Sequence, residues 1–184
     1  MAILHKATLN PTKLELVTTY LDTMRWGGGP VDLVGGYRYD DPQGKVGIEG
    51  LIATRGDDAF HLPLTYRDAP LAGAEGFLIA TMDHSVLGKR WVYDATHDPV
   101  AVDAFLRALA GEQEQAELNV YGPDEKLIEV RTPPVVVRVA QPHVVTPSDL
   151  ILVRRLELGA PQEPAQAMLI AEWAGNNSAV VAIG

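Results

Sequence analysis

Two segments of the chain carry apolar residues at the spacing of an amphipathic helix. The first segment follows Asn10-Pro11 and ends at three glycines that start at Gly27. Asparagine is a favoured N-cap and proline is tolerated at the first helical position, so Asn10-Pro11 predicts where this helix begins. The face predicted to be buried consists of Leu14, Val17, Leu21 and Met24.

The second helical segment starts in the same way, at Asp98-Pro99, and ends near Gly111. Each segment has only one apolar face, so we expect both helices to pack on a sheet. The apolar positions of the second helix are Val102, Phe105, Leu106 and Leu109.

Between the helices the period of the apolar positions changes to two, which is typical of strands. Strands are predicted at 31–39, 46–52, 60–66, 76–82 and 90–94, with turns at 41–44 and 55–58. The order of elements predicts an α+β fold, an antiparallel meander sheet with two helices packed on one face.

Two residues in the run 60–66 predict how this strand lies in the sheet. Pro63 has no backbone N–H for a sheet ladder, so it predicts an edge strand or a bulge. His61 alternates with the apolar positions, together with Thr65 and Arg67, and we expect it to face solvent.

The pattern of apolar residues changes after about residue 116. Short β-type runs follow, separated by turns rich in Pro, Gly and Asp. We therefore expect an α+β domain at 1–116 and a C-terminal all-β extension at 117–184, packed on the same core.

Composition narrows the classes of function. The 184 residues include no cysteine, which excludes disulfides and thiolate chemistry, and the formal net charge is −9. Phosphate backbones attract basic surfaces, so neither nucleic acid nor an anionic membrane is expected as a partner. The sequence has no apolar run of about 18 residues and no signal-type leader at Met1, which predicts a cytoplasmic protein.

The motifs that resemble catalytic elements fit turns better. Gly27, Gly28 and Gly29 precede a strand rather than the Lys-Ser/Thr and helix of a phosphate-binding loop. The acidic pairs 40–41 and 57–58 fall in predicted turns, where aspartate binds its own backbone. No metal site and no cofactor are predicted.

The segment 83–98 is the richest in chemical groups. Its candidate ligand-site residues are His84, Arg90, Trp91, Asp94 and His97. Aspartate and histidine can form a base with its orienting partner, or bind a metal. The structural alternative is that Asp98 caps the second helix, Asp94 ends a strand and His84 binds a turn.

Five blocks in this order resemble the N-terminal cap domain of bacterial maltokinases. They are HKATLNPTKLEL at 5–16, GYRYDDP at 36–42, PLTYRDAP at 63–70, DHSVLGKRWVYD at 83–94 and HDPV at 97–100. The resemblance implies an α+β module that precedes a sugar kinase and contains none of the phosphotransfer residues. A later block, at 150–156, is similar to the kinase strand whose lysine contacts ATP, with Val153 in the place of that lysine.

The resemblance implies a regulatory cap-type module in maltose, glycogen or trehalose metabolism. It would bind a protein partner, such as a carbohydrate-active enzyme, or associate with itself. The sequence contains no kinase catalytic loop, so catalysis is not expected. The alternative is an enzyme, or a protein that binds a small molecule or metal, using residues 84–98 in a cleft.

Overall fold

The computed structural model describes residues 2–5, 7–121, 127–159 and 166–184. Its α-helices are α1, Lys13–Met24, and α2, Pro99–Leu109. The strands are β1 Ala2–His5, β2 Leu9–Asn10, β3 Val31–Tyr39, β4 Gly47–Arg55, β5 Asp58–Arg67, β6 Leu78–His84, β7 Gly88–Asp94, β8 Leu118–Tyr121, β9 Leu127–Arg131, β10 Val135–Ala140, β11 Ile151–Leu152, β12 Arg155–Leu156, β13 Met168–Trp173 and β14 Asn177–Ile183.

These strands form three sheets. The largest has the order β2-β6-β7-β5-β4-β3, with β12 also paired to β5. The second has the order β10-β13-β14-β11, and the third β1-β8-β9. The pairs are antiparallel except β1 with β8, which run parallel. The predicted α+β class, the antiparallel meander and the β-rich C-terminal region are therefore confirmed.

Helix α1 begins later than predicted. Its N-cap is Thr12, whose side chain accepts a hydrogen bond from the Glu15 amide at 3.3 Å, while the Glu15 carboxylate accepts one from the Thr12 amide at 2.8 Å. This reciprocal capping box satisfies two amides that the helix leaves without partners. The prediction of a cap at Asn10 was wrong, because Asn10 pairs with Asp83 as part of β2.

The buried face of α1 is also rotated from the predicted one. Leu16, Val17 and Leu21 are buried, whereas Leu14 and Met24 are 45% and 40% exposed. Helix α2, in contrast, begins as predicted, with the Asp98 carboxylate accepting from the Val100 amide at 3.0 Å. Its buried face consists of Ala101, Ala104, Phe105, Ala108 and Leu109.

The two helices pack on opposite faces of the large sheet, which corrects the prediction of a single face. Helix α1 packs with Leu51 and other residues of one hydrophobic cluster, and α2 packs with Ile52 and other residues of a second cluster. Leu51 and Ile52 are consecutive on β4, so their side chains point to opposite faces. The helical pattern alone could not choose a face, because both faces of this sheet are apolar.

Strand β5 lies inside the large sheet, which corrects two predictions. His61 is fully buried rather than solvated. Pro63 is in an interior strand, but β12 pairs with β5 near Phe60 and β7 pairs with it only from Leu64 onward. Pro63 therefore lies in the gap between those two pairings, where a missing N–H is tolerated.

The C-terminal β-rich region shares a core with the rest of the chain. One hydrophobic cluster joins Tyr37 and Phe105 to Val135, Leu169 and Val181. The boundary at 116–117 remains a prediction. No helix in the described part of the chain is long and apolar enough to cross a membrane.

The block at 150–156 is not a single strand. Its first half, β11, pairs with β14, and its second half, β12, pairs with β5. Between them the Val153 amide donates to the Val181 carbonyl at 3.0 Å, and the Arg154 carbonyl accepts from the His61 amide at 2.8 Å. This segment therefore joins the second sheet to the first.

Candidate functional site

One predicted site residue, His97, lies in the short 3-10 helix after β7, and the other four lie on the hairpin formed by β6 and β7. His84 is at its turn and Asp94 is at the far end of β7. Side chains alternate between the two faces of the hairpin. The five predicted residues therefore do not converge on one site.

His84 lies in the turn of the hairpin, as the structural alternative predicted. Its Nδ1 accepts hydrogen bonds from the amides of Val86, at 3.2 Å, and Leu87, at 3.1 Å. An imidazole whose Nδ1 is an acceptor carries its proton on Nε2, so that atom is a donor.

Trp91 and His97 occupy separate surroundings. The Lys89 ammonium lies 5.5 Å from the centroid of the Trp91 ring. The His97 ring stacks on Phe77, and its Nδ1 is 2.9 Å from the Thr96 hydroxyl.

Asp94 is held in a network of hydrogen bonds and an ion pair. Its carboxylate accepts from the Tyr20 hydroxyl at 2.7 Å, the Thr96 amide at 2.9 Å and the Arg154 guanidinium at 2.5 Å. Burial alone would raise the pKa of Asp94, but Arg154 and these hydrogen bonds outweigh it and lower the pKa. Because Arg154 comes from the C-terminal region, Asp94 ties that region to the large sheet.

Asp98 is fully buried and has two structural partners. The Arg67 guanidinium donates to both of its oxygens at 2.6 Å, and the Val100 amide donates to one of them. Burial opposes ionisation of Asp98, yet the Arg67 fork and the amide lower its pKa. We refer to the Asp94 and Asp98 networks together as the paired-charge region.

His61 is a buried neutral base. One ring nitrogen is 2.9 Å from the Tyr37 hydroxyl and the other is 3.0 Å from the Val153 carbonyl. Burial, together with the nearby Arg154 charge, lowers the pKa of His61 to about 3. The ring is therefore neutral at physiological pH.

Glu49 is a buried acid that the sequence analysis missed. It accepts from Lys13 at 2.6 Å, Arg38 at 3.2 Å and the Tyr66 hydroxyl at 2.9 Å. Burial would raise the pKa of Glu49, but Arg38 and Lys13 outweigh it and lower the pKa to about 2. Its alternation with Ile48 and Gly50 on β4 gave no sign of an ion pair.

A cleft of about 470 Å³ lies beside Glu49. Its cationic side chains are Lys13, Arg38, Lys45 and Arg90, and His84 also lines it. We call it the basic cleft. It contains two of the five predicted site residues, His84 and Arg90, together with three cations from distant parts of the sequence.

The turn assignments hold for Asp41 and the glycine loop, whereas Asp58 is the first residue of β5 and accepts from Arg155. The Asp41 carboxylate accepts from the amides of Gln43, Lys45 and Val46, each at 2.9 Å. The Gly29 carbonyl accepts from Arg55, so the glycine loop is fixed by a side chain. Among the described residues, no group of three His, Asp or Glu side chains is placed to hold a metal.

The comparison with protein families agrees with three whole blocks seen in the sequence, those at 36–42, 63–70 and 83–94. Residues 20–98 match the family model of the maltokinase N-terminal cap domain. No curated protein matches the chain. The matched segment contains most of the large sheet, including β3 to β7, and ends at the cap of α2. Residues 20–98 are therefore similar to the maltokinase N-terminal cap domain.

Proposed function

We propose that this protein is a non-catalytic, cytoplasmic binding module that contacts a protein partner in maltose, glycogen or trehalose metabolism. The metabolic context comes from the cap-domain match at residues 20–98. The family's phosphotransfer chemistry is not part of the proposal, because that match covers the cap domain alone.

The non-catalytic assignment rests on the pKa values of the buried and half-buried ionisable groups. A general acid or base near neutral pH needs a pKa near the working pH. Glu49, Asp94 and Asp98 are kept ionised by cations, and the pKa of His61 is about 3. These groups support the fold rather than proton transfer.

An exposed edge strand supports binding to a protein. In the described part of the chain, β9 pairs only with β8, so its outer edge is open. Leu127, Ile128 and Val130 on β9 are each more than 50% exposed. Open apolar edges pair readily with a strand of another chain. We assign β9 as the partner-binding edge.

The test is affinity capture from an extract of the native cells, with the wild type and Ile128→Lys/Val130→Lys compared. Lysines on an edge strand oppose pairing with another strand. We expect an enzyme of carbohydrate metabolism to be retained by the wild type and lost with the double variant. Val144→Lys is the control, because Val144 is 81% exposed and lies outside β9.

Two results would contradict the proposal. The first is equal retention of the same enzyme by the double variant, in capture and with purified components. The second is formation of a sugar phosphate from ATP, Mg²⁺ and maltose that persists through repurification. Light scattering distinguishes the homotypic form of the proposal, in which the wild type dimerises and the double variant does not.

A further inference from the structure

The basic cleft has more positive than negative charge, although the chain as a whole has a formal net charge of −9. Lys13 and Arg38 share one carboxylate, that of Glu49. Within the described part of the chain, Lys45 and Arg90 form no ion pair.

The acids beside the cleft offset only part of this charge. Asp40 and Asp41 line it. Both oxygens of Asp41 accept amide hydrogen bonds from their own turn. With Glu49 included, four cations face three carboxylates, which leaves one positive charge.

Arg90 carries a donor without an acceptor. One of its terminal nitrogens donates to the Leu87 carbonyl at 2.5 Å, but its Nε is buried and has no hydrogen-bond partner among the described residues. Buried donors without partners are rare in folded proteins and are costly. The described residues therefore satisfy the Arg90 guanidinium only in part.

The cleft has the size and walls of a small-molecule site. Sites for small molecules enclose roughly 300–1,000 Å³ and combine apolar walls with a few polar groups. Here the volume is about 470 Å³, and Leu9 and Met82 provide apolar wall. The Tyr66 ring lies beside them.

We propose that the basic cleft binds a small organic phosphate. Its phosphate group would contact Arg90 and Lys45, and its organic body would lie against the apolar wall. A phosphate monoester has three terminal oxygens and close to two charges at neutral pH, so it can accept from several cations at once. A monocarboxylate has only two oxygens and one charge. This inference concerns a different surface from β9 and does not rest on partner binding.

The test is isothermal titration calorimetry on the full chain at low ionic strength. The probes are inorganic phosphate, glucose 6-phosphate and adenosine monophosphate, with glucose and adenosine as neutral counterparts. We expect phosphate-bearing probes to bind and their neutral counterparts not to bind at the same millimolar concentration. If glucose 6-phosphate binds more tightly, the organic part of the ligand is a sugar. If adenosine monophosphate binds more tightly, it is a nucleoside.

Charge variants locate the site. Arg90→Gln and Lys45→Gln should each weaken binding about tenfold, the effect of one charge-assisted hydrogen bond. Lys89→Gln is the matched control. It removes the same charge from the adjacent residue, but Lys89 points to the opposite face of β7, over Trp91. It should change affinity by less than about twofold, since its charge is exposed and screened.

A variant that is expected to strengthen phosphate binding completes the experiment. Glu49→Gln removes the carboxylate that Lys13 and Arg38 share, so it should strengthen phosphate binding. Circular dichroism at the assay temperature establishes that each variant is folded. The proposal is overturned if no phosphate-bearing probe binds, or if Lys89→Gln loses as much affinity as Arg90→Gln.

Discussion

The two ends of the β6–β7 hairpin differ in how charges are paired. At the Asp94 end, the paired-charge region gives each carboxylate a guanidinium, Arg154 for the half-buried Asp94 and Arg67 for the buried Asp98. At the turn end, Arg90 lies in the basic cleft without an ion pair in the described part of the chain.

This difference separates structural from functional use of charge. A buried acid that is paired and hydrogen-bonded holds elements together, and breaking the pair is costly because it leaves a buried charge. Cations in a cleft without enough acids contribute little to the fold and are available to a ligand. Changes in the paired-charge region should therefore lower stability, and changes in the basic cleft should alter binding.

The largest effect on stability is expected from Asp98→Ala. The change removes the N-cap of α2 and leaves Arg67 without its bidentate partner, so we expect a loss of about 4 kcal/mol in the free energy of unfolding. Urea denaturation followed by circular dichroism measures it. The control is Asp103→Ala on the same helix, where an exposed pair with Arg107 should contribute less than about 1 kcal/mol. Similar losses in both variants would contradict the role of Asp98.

Glu49→Gln should have the next largest effect on stability. It breaks a buried ion pair, but Lys13 and Arg38 are both partly exposed and can be hydrated, so the expected loss is about 3 kcal/mol near neutral pH. The folded-state pKa of about 2 lies below the unfolded value of about 4.3.

Glu49 therefore stabilises the wild type fully above about pH 4.3, and this contribution is lost as the pH falls toward 2. Denaturation of both proteins across this range measures the difference. The difference in the free energy of unfolding between wild type and Glu49→Gln should become smaller as the pH falls. A difference that stays constant would show that Glu49 is not ionised in the folded protein.

His61→Gln probes a separate pH range. The unfolded chain binds a proton at His61 below about pH 6.5, whereas the folded chain does so only near pH 3. Stability is therefore greatest above pH 6.5 and falls with decreasing pH, by about 2–3 kcal/mol between pH 6.5 and 4.5.

In His61→Gln the loss of stability between pH 6.5 and 4.5 should be nearly absent, whereas Glu49→Gln should still show it. Urea denaturation at several pH values between 4.5 and 7 gives the comparison. An unchanged slope in His61→Gln would mean that another group titrates in this range.

The sequence predicted local structure better than long-range contacts. Asp98-Pro99 correctly placed the start of α2, because capping depends on neighbouring residues. At the start of α1 two local signals competed, Asn10-Pro11 and the box formed by Thr12 and Glu15, and the second prevailed.

Contacts between distant residues could not be derived in this way. The burial of His61 depends on Val153, 92 residues later in the chain. The basic cleft likewise collects Lys13 from α1, Lys45 from the turn before β4 and Arg90 from β7. Only its two residues in the hairpin, His84 and Arg90, stood out as chemically suggestive in the sequence.

The smallest effect on stability is expected in the basic cleft. Arg90→Gln should change the free energy of unfolding by no more than about 0.5 kcal/mol, because among the described residues Arg90 donates to a turn carbonyl, that of Leu87, and forms no ion pair. Thermal melts of this variant and of Lys89→Gln give the comparison. A loss as large as that of Glu49→Gln would place Arg90 among the structural charges.

The difference between the two ends of the hairpin is tested most directly by an NMR titration of the ¹⁵N-labelled chain with glucose 6-phosphate and adenosine monophosphate. Backbone amide shifts report where a ligand binds without any mutation. We expect at least one ligand to shift the amides around Lys45 and from His84 to Arg90, while those from Asp94 to Val100 stay in place. Shifts centred on Asp94 to Val100, or none at all in the cleft, would contradict the account.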